Sequence, residues 1–178
     1  MIRLMEWAEM KTLHDSFYED VSRFIEKNGQ EFDPCLIIIG EKEKDGRYQA
    51  HQMSKRFVEK FFESDSSKDM MMWFIEGLLT EGHEMRTTSK SLIKFNPIAV
   101  VQINEAWSVT IKEKPEGKIP RPSVHPNREE VLLIIIHTPG LSIPVLHKIC
   151  PTPFRHLHRS EFPRGGSFSG GLALQNRD

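Results

Sequence analysis

Five residues in the middle of the chain have side chains that hold or transfer charge: Glu105, Trp107, Arg121, His125 and Arg128. In a strand, Glu105 and Trp107 stand two apart and share a face. Arg121, His125 and Arg128 follow on a segment that Pro120, Pro122 and Pro126 stiffen. Two roles suit these parts. Arg121 or Arg128 can pair bidentately with Glu105 or Glu130 and latch the loop over the sheet, with Trp107 packed beneath. Alternatively, the arginines beside His125 can hold a phosphate or carboxylate, with Trp107 stacking on it.

A second group of candidates lies later, where His137, His147, His156 and His158 run past Cys150 and Glu161. His156-Leu157-His158 places two imidazoles on one face of an extended segment, a spacing that can chelate zinc. Read plainly, Arg155-His156-Leu157-His158-Arg159 is a solvated basic segment. The order of Glu105, His156, His158 and Ser167 is distantly similar to the JAMM-type metalloprotease motif, in which a glutamate, two histidines and an aspartate serve a zinc-bound water. The closing aspartate is missing from Ser167-Phe168-Ser169-Gly170-Gly171. No Walker or dinucleotide-type glycine loop, Gly-x-Ser-x-Gly elbow or Cys-x-x-Cys pair occurs. The expected cofactor is therefore none.

The run Asn104-Glu105-Ala106-Trp107, then Arg121-Pro122-Ser123 and Pro126-Asn127-Arg128, leading into Glu130-Val131-Leu132, resembles an uncharacterised family of small bacterial proteins. Those proteins share an N-terminal helix, a strand pair, a helix and a strand ending in a Ser-Glu-Ala-Trp-like motif. Here Asn104 stands for the usual serine and Asn127 for the usual aspartate. The resemblance implies a bacterial or phage-related α+β fold and carries no catalytic role.

The elements that must position these residues follow from periodicity. Ile98 to Trp107 and Val131 to His137 are apolar, β-branched runs that read as two adjacent buried strands. Leu4, Trp7, Met10, Leu13, Phe17, Val21, Phe24 and Ile25 recur at helical spacing, stopped by Asn28-Gly29. Cys35 to Ile39 reads as a strand, with Arg47 to Met53 as its hairpin partner. Ser54 to Phe62 fits a short helix or a strand fragment. Ser66 to Gly82 predicts a helix with Met70, Trp73, Phe74, Gly77 and Leu78 on its inner face, and the methionine run as gap-filling core. His83 to Asn96 reads as loop or helix tail, and Leu141 to Ile149 as a further strand in which Pro144 suits an edge. The expected fold is α+β, a largely antiparallel sheet of about five strands with two or three helices on one face. Residues 1–162 are expected to form a single domain and 163–178 a flexible Gly/Ser-rich tail.

The 178 residues suffice for a core without staples. A net charge of -1, with 28% charged residues, supplies no basic field for nucleic acid. No apolar run approaches the roughly 20 residues of a membrane-spanning helix. Cys35 and Cys150 are expected to be reduced thiols in a soluble, cytoplasmic protein. Because each singled-out residue has an adequate structural role and no acid, base or metal constellation is complete, the expectation is a non-enzymatic binding or assembly protein that meets a protein partner or another copy of itself. The alternative is a small hydrolase or anionic-ligand enzyme, with or without zinc.

Overall fold

The computed structural model describes residues 4–81, 84–86, 92–94, 96–110, 121–164 and 173–176. The first helix, α1 (Trp7–Asn28), opens with the Glu6 amide donating to Glu9 Oε2 at 3.0 Å, the reciprocal half of a capping box. It ends where Gly29 takes φ +61° and its amide donates to the Ile25 carbonyl at 2.8 Å. That is the left-handed cap expected from Asn28-Gly29. Two strands follow, β1 (Cys35–Lys42) and β2 (Tyr48–Gln52), paired antiparallel with Ile38 opposite His51.

Ser54 to Phe62 resolves as helix: α2 (Lys55–Glu59) runs into a 3-10 turn over Lys60–Phe62. Next comes α3 (Asp65–Glu81), whose buried side chains are Met71, Ile75, Leu78 and Leu79. The predicted inner face is thus rotated. Leu78 is buried as expected, but Met70 is 59% and Trp73 73% exposed. Three successive methionines leave the phase of the helix undetermined by composition, and only Met71 serves as core. Part of the segment read as loop forms a separate antiparallel pair, β3 (Glu84–Arg86) with β4 (Leu92–Lys94). Thr87, Thr88 and Ser89 lie outside the described residues.

The long strands are β5 (Pro97–Val109), β6 (Glu129–Thr138) and β7 (Leu141–Cys150), and β8 (His156–His158) is short. The strand order is β2-β1-β5-β6-β7-β8, so the two aliphatic runs are neighbours as expected. Among the described residues, three α-helices accompany an antiparallel sheet, so the fold is of the predicted α+β class, and this six-strand path is one strand longer than about five. Pro144 lies on the part of β7 that β8 does not reach, since β8 pairs only with Lys148 to Cys150. From the C-terminal segment, β9 (Ala173–Asn176) pairs antiparallel with Ala106 to Val109 of β5.

The chain divides into two compact units. One comprises Met1–Met10, Pro34–Gln102 and Ile135–Ile143, the other Lys11–Asp33, Ile103–Ile134 and Pro144–Asp178. In the first, Leu36, Ile38 and Val100 of the sheet pack with Val58, Met71, Ile75, Leu78 and Leu79 of the helices. In the same unit Glu9 Oε1 accepts from Lys42 Nζ at 2.8 Å and Tyr48 Oη at 2.9 Å, tying α1 to the β1–β2 hairpin. Both cysteines are free thiols. Ile38 is fully buried in the first core, so Ile38→Ala should cost about 2–5 kcal/mol in urea unfolding, with an unchanged m-value.

Candidate functional site

Glu105 of β5 is 6% exposed, and a carboxylate so placed requires a partner. The partner is Arg155, in the turn between β7 and β8, whose Nη2 donates to Oε1 of both Glu105 and Glu130 at 2.8 Å. Arg155 Nη1 donates to the Gln30 carbonyl at 2.6 Å, and the Phe32 amide donates to Glu105 Oε1 at 2.7 Å. One guanidinium therefore ties β5, the start of β6 and the α1–β1 linker together. Burial works against its charge, but the two carboxylates outweigh that and hold it more firmly protonated than usual.

A latch of the kind expected from Arg121 or Arg128 is made by Arg155. Arg128 instead lies over the Trp107 ring, its guanidinium carbon 4.5 Å from the centroid, with no carboxylate within ion-pair distance among the described residues. Both arginines of the loop are exposed, and Pro122–Val124 forms a 3-10 turn with Val124 70% exposed. His125 Nδ1 accepts the Asn127 amide at 3.1 Å, so its ring braces the loop from within. Glu129, next to Arg128, is taken by Lys148 Nζ at 2.6 Å. Arg128 is thus brought to Trp107 of β5, Arg121 and His125 share its loop, and Glu105 belongs to the buried network of Arg155.

His156 and His158 alternate with buried Leu157 along β8, as the spacing requires. His156 Nδ1 is 2.7 Å from the Phe154 carbonyl, which therefore accepts a proton from it. Among the described residues no group of three histidine, cysteine, aspartate or glutamate side chains is placed to hold a metal ion. Ser167 lies outside the described residues.

Sequence reasoning missed a buried histidine pair. His14 of α1 and His147 of β7 are both fully buried, with their Nε2 atoms 3.0 Å apart. The Ser160 amide donates to His147 Nδ1 at 3.0 Å, so that nitrogen carries no proton and Nε2 must. His147 Nε2 then donates to His14 Nε2, which leaves the His14 proton on Nδ1, donated to Asp15 Oδ1 at 3.1 Å. Every proton in the chain is assigned by its neighbour.

Around this pair, the Tyr18 ring lies tilted with its centroid 4.5 Å from that of His147, and the Phe162 ring tilted 5.2 Å from that of His14. Arg159 pairs with Asp15 and Glu19 at 3.0 Å and lies over the Tyr18 ring. Burial lowers both histidines, His147 to about 3. Burial alone would favour the acid form of Asp15, but hydrogen bonds from Lys11, His14 and Arg159 outweigh it and keep the carboxylate charged. A signal was present in the sequence, since His14 stands at helical spacing between Met10 and Tyr18 on the apolar face of α1.

No family model matches the chain, and no curated protein or solved structure matches it. No described helix is long and apolar enough to cross a membrane.

Two outcomes follow. Arg155→Ala strands two carboxylates and should cost about 3 kcal/mol in thermal or urea unfolding, whereas Arg128→Ala should cost under about 1 kcal/mol. The buried histidines, including His137 at about 4, sit below the usual 6.5, so the unfolded chain takes up protons first. Their stabilisation is complete above pH 6.5 and declines as pH falls toward 4, by about 1.4 kcal/mol per pH unit for each residue titrating. Urea unfolding at stepped pH reads this slope, and a flat profile from 6.5 to 4.5 would contradict it.

Proposed function

We propose that the protein is a non-enzymatic binding protein that receives an anionic group of a partner on the loop carrying Arg121, His125 and Arg128, above Trp107. The observation that carries this reading is the Arg128 guanidinium lying 4.5 Å over the Trp107 ring with no carboxylate at ion-pair distance among the described residues. Stacking fixes the plane of the guanidinium and leaves its edge N–H groups pointing outward, so little side-chain entropy is lost when an anion docks.

The electrostatics of the surroundings support it. Arg121 to Arg128 contains two arginines and no acid. The nearest carboxylates in sequence are already engaged, Glu129 by Lys148 and Glu130 by Arg155. Beside the arginines, the exposed Val124 adds an apolar contact suited to a polypeptide partner. Binding is favoured over catalysis because the buried His14, His137 and His147 have their ring nitrogens occupied by internal hydrogen bonds. A general base needs a nitrogen within reach of a substrate proton.

Titrating a short polyglutamate peptide at low salt should shift the Trp107 indole N–H resonance saturably, with the effect fading as salt rises. Arg128→Ala should weaken binding about tenfold, or 1.4 kcal/mol, while leaving the melting temperature nearly unchanged. Equal affinity in wild type and Arg128→Ala would overturn the reading.

A further inference from the structure

A cavity of about 220 Å³ opens between α3 and the β6–β7 turn, within the first unit. Its apolar walls are Met72, Ile75 and Leu141, and its polar side chains are Glu76, Thr138 and Ser142. The volume exceeds the roughly 150 Å³ that accommodates a benzene ring and falls short of the roughly 300 Å³ at which drug-sized pockets begin. It suits one short chain or a single side-chain end.

Hydrogen-bond bookkeeping defines what those polar groups can offer. His137 Nε2 is 3.2 Å from the Gln102 amide oxygen, an acceptor only, so the ring's one proton sits on Nε2. His137 Nδ1 then has a lone pair, and Ser142 Oγ, 2.8 Å away, must donate its hydroxyl proton to it. Thr138 Oγ1 donates its own proton to the Leu141 carbonyl at 3.2 Å. Glu76 is exposed, its backbone carbonyl accepts from Thr80 Oγ1 at 2.8 Å, and its carboxylate makes no hydrogen bond or ion pair among the described residues. The carboxylate and both hydroxyls therefore present only lone pairs to a ligand, and one of the three carries a full negative charge.

We propose that this cavity binds a primary alkylammonium group, its short apolar stem against Met72, Ile75 and Leu141 and its N–H donors shared among Glu76, Ser142 and Thr138. Three acceptors on three different side chains suit the three N–H donors of an ammonium better than the flat fork of a guanidinium. A hard divalent cation would need more oxygen ligands and fewer apolar walls. The site is independent of the Arg128 loop and selects the opposite charge.

The test is a titration of the full chain with n-butylammonium chloride at constant ionic strength, followed by the methyl resonances of Ile75 and Leu141. Saturable shifts are expected, weakened up to about fivefold by Glu76→Gln, the upper range for an exposed ion pair. n-Butanol, with the same stem and no charge, should bind more weakly by a similar factor. No saturable shift, equal binding of n-butanol, or unchanged binding by Glu76→Gln would overturn the proposal. Nα-acetyl-lysine methylamide separates the two sources of such an amine. Binding at least as tight as n-butylammonium identifies a lysine side chain of a polypeptide, and weaker binding a free amine, with the cavity's preference upheld in both cases.

Discussion

A buried carboxylate must be neutralised, and in this protein that requirement falls on Glu105. Its partner Arg155 also takes Glu130 and the Gln30 carbonyl, so a single guanidinium closes the ends of two strands and a linker. The geometry is demanding, because the Phe32 amide fills a further lone pair of the same Glu105 oxygen. Removing any one member would leave charge or polarity stranded away from water, which costs more than the intact network contributes.

The division of labour among the arginines follows from this. With Arg155 committed to the interior, Arg128 is left on the surface, where an indole rather than a carboxylate holds it. Over Trp107, the guanidinium meets no carboxylate among the described residues, and Arg121 to Arg128 carries a local positive charge that the whole-chain balance of -1 conceals. The histidines show the same principle of internal satisfaction. His14 and His147 form a strut between α1 and β7 in which each nitrogen has one determined role. His137 fixes the proton of Ser142 and so sets the polarity of a cavity wall some distance along the chain from either candidate site residue.

Local pattern in the sequence carried most of the fold. The β-branched runs marked β5 and β6 and predicted their adjacency, and Asn28-Gly29 marked the end of α1 because a left-handed cap needs a residue without a Cβ. What local pattern does not encode is where the chain returns. Arg155 is 50 residues from Glu105, whereas Arg121 and Arg128 are near in sequence, so proximity gave no signal for the Arg155 guanidinium. The inner face of α3 was misjudged because apolar residues surround that helix, leaving no clear periodicity to fix its rotation. His14 was hidden for the opposite reason: it occupies a core position on a strongly periodic helix, where its polar atoms are answered by a residue 133 positions away.

The pairing of Glu105 with Arg155, rather than with Arg128, is open to direct measurement by double-mutant cycles in urea. The cycle of Arg155→Ala with Glu105→Gln should give a coupling of about 1.5–3 kcal/mol, and the cycle of Arg128→Ala with Glu105→Gln a coupling within about 0.5 kcal/mol of zero. Coupling of Glu105 to Arg128 instead, with Arg155 additive, would contradict the account.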